Sequence, residues 1–179
     1  MITKWTNLPE LPNFYDKYIM KVDNIPLLEA LSVHSPSAIL SDFHKLEALK
    51  SKVYAPEKWT IKTIVQHLID TERIMAYRAL CFARSDKTEL PGFDENKYAK
   101  YAPAEKRFLK EMLKEWETVR QASIQLFESF DEKTLYNEGI ASGRNLSVAA
   151  IGYIICGHPI HHKQIIEERY FPLLEDQPL

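Results

Sequence analysis

The sequence predicts an all-α fold: a four-helix bundle with a long crossover loop, in a single domain spanning residues 1–179. Three observations carry that prediction. Glycine is scarce, at five residues. Apolar residues recur at steps of three and four through three long segments, which is the period of an amphipathic helix. The stretches between those segments are rich in Pro, Gly, Asn and Asp, as connections are. No alternating apolar–polar run of useful length suggests a strand, and no internal repeat is evident.

The region before residue 52 reads as helical, with an interruption around "SVHSPSA". Segment 60–84 places Ile64, Leu68 and Met75 on one stripe, and Thr60 suits its N-cap. Residues 85–103, "SDKTELPGFDENKYAKYAP", form the long loop. In 104–130 the set Phe108, Leu109, Met112, Leu113, Trp116, Val119, Ile124, Phe127 and Phe130 gives the strongest helical signal. "NEGIASGRN", 137–145, reads as a second loop. Segment 147–170 repeats the pattern with Ile151, Ile154, Ile155, Ile165 and Ile166, and Ser147 suits its N-cap. Pro159 lies inside that segment. It lacks an amide donor and opposes the carbonyl of Ile155, so a kink or a helix start is expected there.

Composition narrows the function. The 179 residues are 45% hydrophobic and 11% aromatic, enough for a sizeable core. With 23 basic and 25 acidic side chains the formal net charge is -2, which excludes a broad nucleic-acid surface. Cys81 and Cys156 make no disulfide framework and suit a reducing compartment. The start, "MITKWTNLPELP", has no signal-peptide core, and no apolar run approaches the ~18 residues of a membrane span. A soluble, cytoplasmic protein without membrane or nucleic-acid partners is expected.

The chemistry concentrates in "CGHPIHHKQII", 156–166, which holds three of the six histidines. His158 and His162, at i and i+4, share a helix face; His158 and His161, at i and i+3, also lie close. Neutral imidazole is the commonest metal ligand, and two ligands from one helix need a third from elsewhere. His67 is the best candidate, because it lies mid-helix on a stripe with Ile64, Thr71 and Ile74 that should face the bundle interior. The competing reading of each is a hydrogen-bonded core histidine. His34 and His44, near the early helix break, look solvent-facing.

"YAPEKWTIKTIVQHLIDTERIMAYRALCFARSDKTELPGFDENKYA" resembles the signature of the DinB/YfiT-like superfamily of metal-dependent hydrolases. The elements are a Trp before the helix, the "QHLIDTER" core, "YRALCFAR" and the "LPGFDEN" loop. "GHPIHHKQIIEERY" is similar to the family's GHxxHH segment. The resemblance runs from about residue 20 to 170. It implies a four-helix bundle holding a divalent metal through His67, His158 and His162, with His161 a neighbour and not a ligand; imidazole ligands suit zinc first and nickel next, and His161 then serves at the helix surface or the pocket rim. It also implies a homodimer. Some members of the superfamily are transferases that use a low-molecular-weight thiol.

Three protein nitrogens leave a coordination position open, the pattern of a catalytic site. Asp70, three residues after His67, is a candidate to orient a ligand or accept a proton; the alternative is a surface pair with Arg73. Asp94 and Glu95 are candidates to bring a carboxylate over the site, or to serve as turn and cap residues. Arg78 and Arg84 are candidates to hold an anionic substrate or to close ion pairs. Tyr77 and Tyr153 are pocket or core aromatics, and Cys156 reads as a buried small hydrophobe. The expected function is a metal-dependent hydrolase or thiol-dependent transferase acting on a small molecule. The alternative is a non-catalytic, metal-binding, dimerising module with a stress-related role.

Overall fold

The computed structural model describes residues 4–175. The chain forms α1 (Asp16–Ile19), α2 (Leu27–Val33), α3 (Pro36–Ile39), α4 (Phe43–Ala48), α5 (Ile61–Ala83), α6 (Glu95–Tyr101), α7 (Leu109–Glu128), β1 (Glu138–Ala141), β2 (Arg144–Ser147), α8 (Val148–Ile165) and α9 (Pro172–Glu175). Helices α5, α7 and α8 are the long members of a four-helix bundle, and α5 packs on both of the others. The fourth position is a series of short helices instead of one long one. Proline marks two of the breaks: Pro26 precedes α2, and Pro36 opens α3 behind a cap in which Ser35 Oγ accepts from Ala38 N at 3.3 Å. Asp42 caps α4 in the same way.

Both expected caps of the long helices are present. Thr60 Oγ1 accepts from Thr63 N at 3.2 Å and Ser147 Oγ from Ala150 N at 3.1 Å. The long amphipathic segment begins later than its pattern suggested, since 104–106 is a 3₁₀ turn ahead of α7.

One expectation is corrected. Residues 137–145 are not plain loop: β1 and β2 form an antiparallel hairpin, turned through Ser142 and Gly143 at φ 55° and 69°. Two successive left-handed residues make the tight primed turn whose twist suits a hairpin. Each strand is four residues long, too short for alternation to register. The hairpin also anchors the crossover loop, because Leu90 N donates to Ile140 O at 2.9 Å and Ser142 N to Leu90 O at 3.0 Å. Pro159 does not mark a helix start. Helix α8 runs through it unbroken to Ile165 and then widens into a π-helical turn, Ile166–Tyr170.

Every α8 residue from Val148 to Pro159 is buried. A helix apolar on all sides lies inside its domain, and this one carries His158 into the interior with it. Among the described residues, no helix is long and apolar enough to cross a membrane.

Candidate metal centre

His67 comes from the middle of α5; His158 and His162 come from successive turns of α8. Their Nε2 atoms converge. His67 Nε2 lies 3.1 Å from His158 Nε2, which lies 3.1 Å from His162 Nε2. All three nitrogens fall within 4.8 Å of one another. Among the described residues, no cysteine or acidic side chain joins them.

Burial keeps these rings neutral. Desolvation pushes His67 down to about 4 and His162 to about 3. It lowers His158 well below the ordinary imidazole value, with its neighbours His162 and His67 adding to the effect. A neutral imidazole has one N–H and one lone pair. Thr71 Oγ1 lies 3.4 Å from His67 Nδ1. If Nδ1 carries the proton and donates to that hydroxyl, Nε2 turns a lone pair toward the other rings. Lone pairs that face one another repel unless a cation or a ring N–H sits between them. Zinc–nitrogen bonds of about 2.1 Å place neighbouring ligand nitrogens roughly 3.0 to 3.4 Å apart, from octahedral to tetrahedral geometry. The 3.1 Å spacings fall in that range. The donor set therefore fits a divalent transition metal.

The centre opens on a cavity of about 360 Å³. Aromatic rings wall it. Tyr18 meets His158 edge-on with centroids 5.2 Å apart and His161 at 5.4 Å, and Trp59 lies 4.9 Å from His67. Phe14 and Phe93 add further apolar wall, and Glu95 and Arg144 bring opposite charges to it.

The other candidate residues scatter. His161 lines the cavity beside Tyr18, as a rim residue does. Glu95 lines it as well, whereas Asp94 caps α6, its Oδ1 accepting from Asn96 N and Lys97 N at 3.0 Å. Asp70 is not among the cavity's lining residues: it accepts from Gln66 Nε2 at 2.9 Å, and Gln66 in turn accepts from Arg107 at 2.6 Å. Arg73, the alternative partner of Asp70, pairs with Glu115 at 2.7 Å instead. Arg78 is buried away from the cavity. Its Nη2 donates to Pro91 O and to Ser142 Oγ, both at 2.9 Å, and so clips the crossover loop to the hairpin turn. Arg84 is exposed, with its guanidinium 5.8 Å from the Phe130 ring.

Tyr77 is exposed, Tyr153 is buried with its hydroxyl donating to Ile25 O at 2.9 Å, and neither lines the cavity. Cys156 is fully buried, and desolvation pushes its thiol up to about 12, so it behaves as a small hydrophobe. His44 is exposed as expected. His34 is half-buried, and its Nε2 has no hydrogen-bond partner. Tyr18, Phe14 and Arg144 are cavity residues that the sequence did not signal. They come from short elements without periodicity.

The family model of the DinB superfamily matches residues 36–166. No curated protein matches the sequence. Among solved structures the fold is similar to YfiT from Bacillus subtilis, described as a probable metal-dependent hydrolase with an unusual four-helix bundle topology. The TM-score is 0.65 at 15% identity, covering 89% of this chain and 87% of that one. The match over 36–166 includes all three converging histidines, and the chain belongs to the DinB superfamily.

Proposed function

We propose that this protein is a metal-dependent enzyme. It binds one zinc or nickel ion through His67, His158 and His162 and acts on a small molecule in the adjoining cavity. Hydrolysis is the first reading, supported by the description of YfiT; transfer to a low-molecular-weight thiol is the second, resting only on the superfamily resemblance, some of whose members carry out such transfers. The observation that carries the reading is the convergence of three neutral imidazole nitrogens on the wall of a cavity, His158 Nε2 lying 3.1 Å from each of the other two and all three within 4.8 Å.

A divalent ion bound there would supply Lewis acidity, lowering the pKa of a coordinated water or thiol. The protein's part is orientation and exclusion. Thr71 fixes the His67 ring through Nδ1. Tyr18 and Trp59 pack against His158 and His67 and make the cavity wall beside the centre apolar. Glu95 is the one carboxylate lining the cavity among the described residues, placed to take up a proton.

A non-catalytic metal-binding module would leave that cavity without a role. Homodimerisation and a cytoplasmic location complete the reading; the two free cysteines suit the latter.

The test is metal content and affinity. Protein purified without chelator is expected to carry about one transition metal per chain, and calorimetry with zinc or nickel gives the affinity. His67→Ala, His158→Ala and His162→Ala each abolish tight binding, while His161→Ala keeps it. Absence of metal together with absence of binding on titration refutes the site. Loss in His161→Ala with retention in His162→Ala moves the α8 pair to His158 and His161. Sedimentation showing only monomer at micromolar concentration removes the dimer.

A further inference from the structure

Helix α8 continues through Pro159 although that residue has no N–H to give the carbonyl of Ile155, one turn earlier. A buried carbonyl without a donor is costly. Here the missing donor comes from another helix. Arg120 of α7 is 0% exposed, and its Nη2 donates to Ile155 O at 3.1 Å.

The rest of the guanidinium is fully engaged. Nε and Nη2 donate to the two oxygens of Glu72 at 2.8 and 3.1 Å. Nη1 donates to Leu31 O at 3.2 Å and to His34 O. Trp116 Nε1 completes the cluster by donating to Glu72 Oε2 at 2.8 Å. Glu72 stands five residues after His67 on α5, and Ile155 three residues before His158 on α8. One side chain thus ties together the two helices that bring the histidines, within about one turn of them.

A buried ion pair is a weak source of stability, because desolvation offsets much of its Coulombic gain. Its geometry is the informative part. We propose that Arg120 is a positioning residue of the histidine centre: its guanidinium replaces the amide proton that Pro159 lacks and fixes α8 to α5 in the register at which His67, His158 and His162 converge. The inference rests on the metal reading above.

A double-mutant cycle between Arg120 and Pro159 tests it. Arg120→Lys keeps a positive charge opposite Glu72 but lacks the fork needed to reach Ile155 O as well. Zinc affinity by calorimetry is expected to weaken by about tenfold, the equivalent of roughly one hydrogen bond to a charged group. Pro159→Ala restores the amide to Ile155, so Arg120→Lys in that background is expected to weaken zinc binding by about twofold or less.

Equal losses in both backgrounds overturn the proposal. So does an Arg120→Lys protein that melts earlier yet binds zinc as tightly as the wild type. If Arg120→Lys fails to fold, the paired change Glu72→Met with Arg120→Met removes both charges, and it is measured with and without Pro159→Ala under the same criteria. A wild-type protein that binds neither zinc nor nickel refutes the metal reading itself. Wild-type binding without coupling in the cycle refutes this inference alone.

Discussion

Gly157, which immediately precedes His158, offers a sharp test of how the histidine centre is packed. A Cβ built on it would lie 1.9 Å from the carbonyl oxygen of Tyr18, 2.5 Å from its carbonyl carbon and 3.2 Å from Val22 Cγ2. Ordinary contact begins near 3.4 Å, so Gly157→Ala forces α1 back by about 1.5 Å. Two effects oppose each other. Alanine in a helix interior gains about 1 kcal/mol over glycine. Overpacking costs about 1–3 kcal/mol and more where nothing can yield. Here the atom met is backbone, and α1 is held by the buried Ile19, with Val22 buried just beyond it. The clash wins, with a net loss of about 2 kcal/mol, or a fall in Tm of about 4–8 °C for a chain of this size. Retreat of α1 also moves the Tyr18 ring off His158, so zinc affinity falls with stability. Thermal unfolding and calorimetry on the same preparation check both. Gly152→Ala is the control, since its Cβ meets the Leu27 side-chain tips at 2.8 and 2.9 Å and the Phe127 ring edge at 3.0 Å, groups that can turn aside; its loss is smaller. A Gly157→Ala protein that melts at or above the wild-type temperature with unchanged zinc affinity refutes the argument.

Acid supplies a second prediction. The folded His67, His158 and His162 take up protons less readily than ordinary imidazoles, so the unfolded chain binds more protons below about pH 6.5. Metal-free protein keeps its full stability above that value and loses it progressively as the pH falls toward the folded values of about 4 for His67 and about 3 for His162. Proton competition for the metal, expected near pH 6 from ordinary imidazole, shifts downward with them. Chemical denaturation of the apoprotein between about pH 7 and 5, above the carboxylate range, should show the slope, and a flat profile would refute it. A third prediction concerns Arg78→Met. It leaves Pro91 O and Ser142 Oγ without their donor, is expected to cost about 1–3 kcal/mol, and should raise hydrogen exchange at the Leu90 and Ser142 amides. Unchanged exchange there would show that the loop is held by other contacts.

The long helices were legible because each satisfies local rules. Thr60 and Ser147 cap them, and the apolar periodicity of α5 and α7 reports a face that must be buried. The fourth bundle position was only partly legible. Its interruption at "SVHSPSA" is written in Ser35 and Pro36, but the further breaks depend on tertiary packing of helices too short to show a period. The hairpin escaped for the same reason: four-residue strands carry two residues per face. The histidine trio was legible as a set of residue types at helical spacing. Its walls were not, because Tyr18 and Arg144 reach the cavity from a four-residue helix and a four-residue strand. Asp70 shows the limit of spacing arguments: at i+3 it is rotated about 60° from His67, and at i+4 from Gln66 it takes that side chain as its partner.

The same physics that hid Arg120 explains Pro159. A proline in the middle of a helix reads as an end or a kink, because sequence alone records only the donor it lacks. Structure records the replacement, a side chain 39 positions upstream on another helix. Removing a local hydrogen bond and supplying a tertiary one makes the satisfaction of the Ile155 carbonyl depend on the bundle being assembled. In the folded bundle the one α8 carbonyl that Pro159 leaves without an amide is satisfied by Arg120 of α7, which Glu72 of α5 holds in place. Helix α5 is also the source of His67. Convergence of the three imidazoles and the replacement bond to the helix that bears two of them involve the same α5–α7–α8 packing, which is why the pair Arg120 and Pro159, and not either residue alone, is the place to perturb this centre.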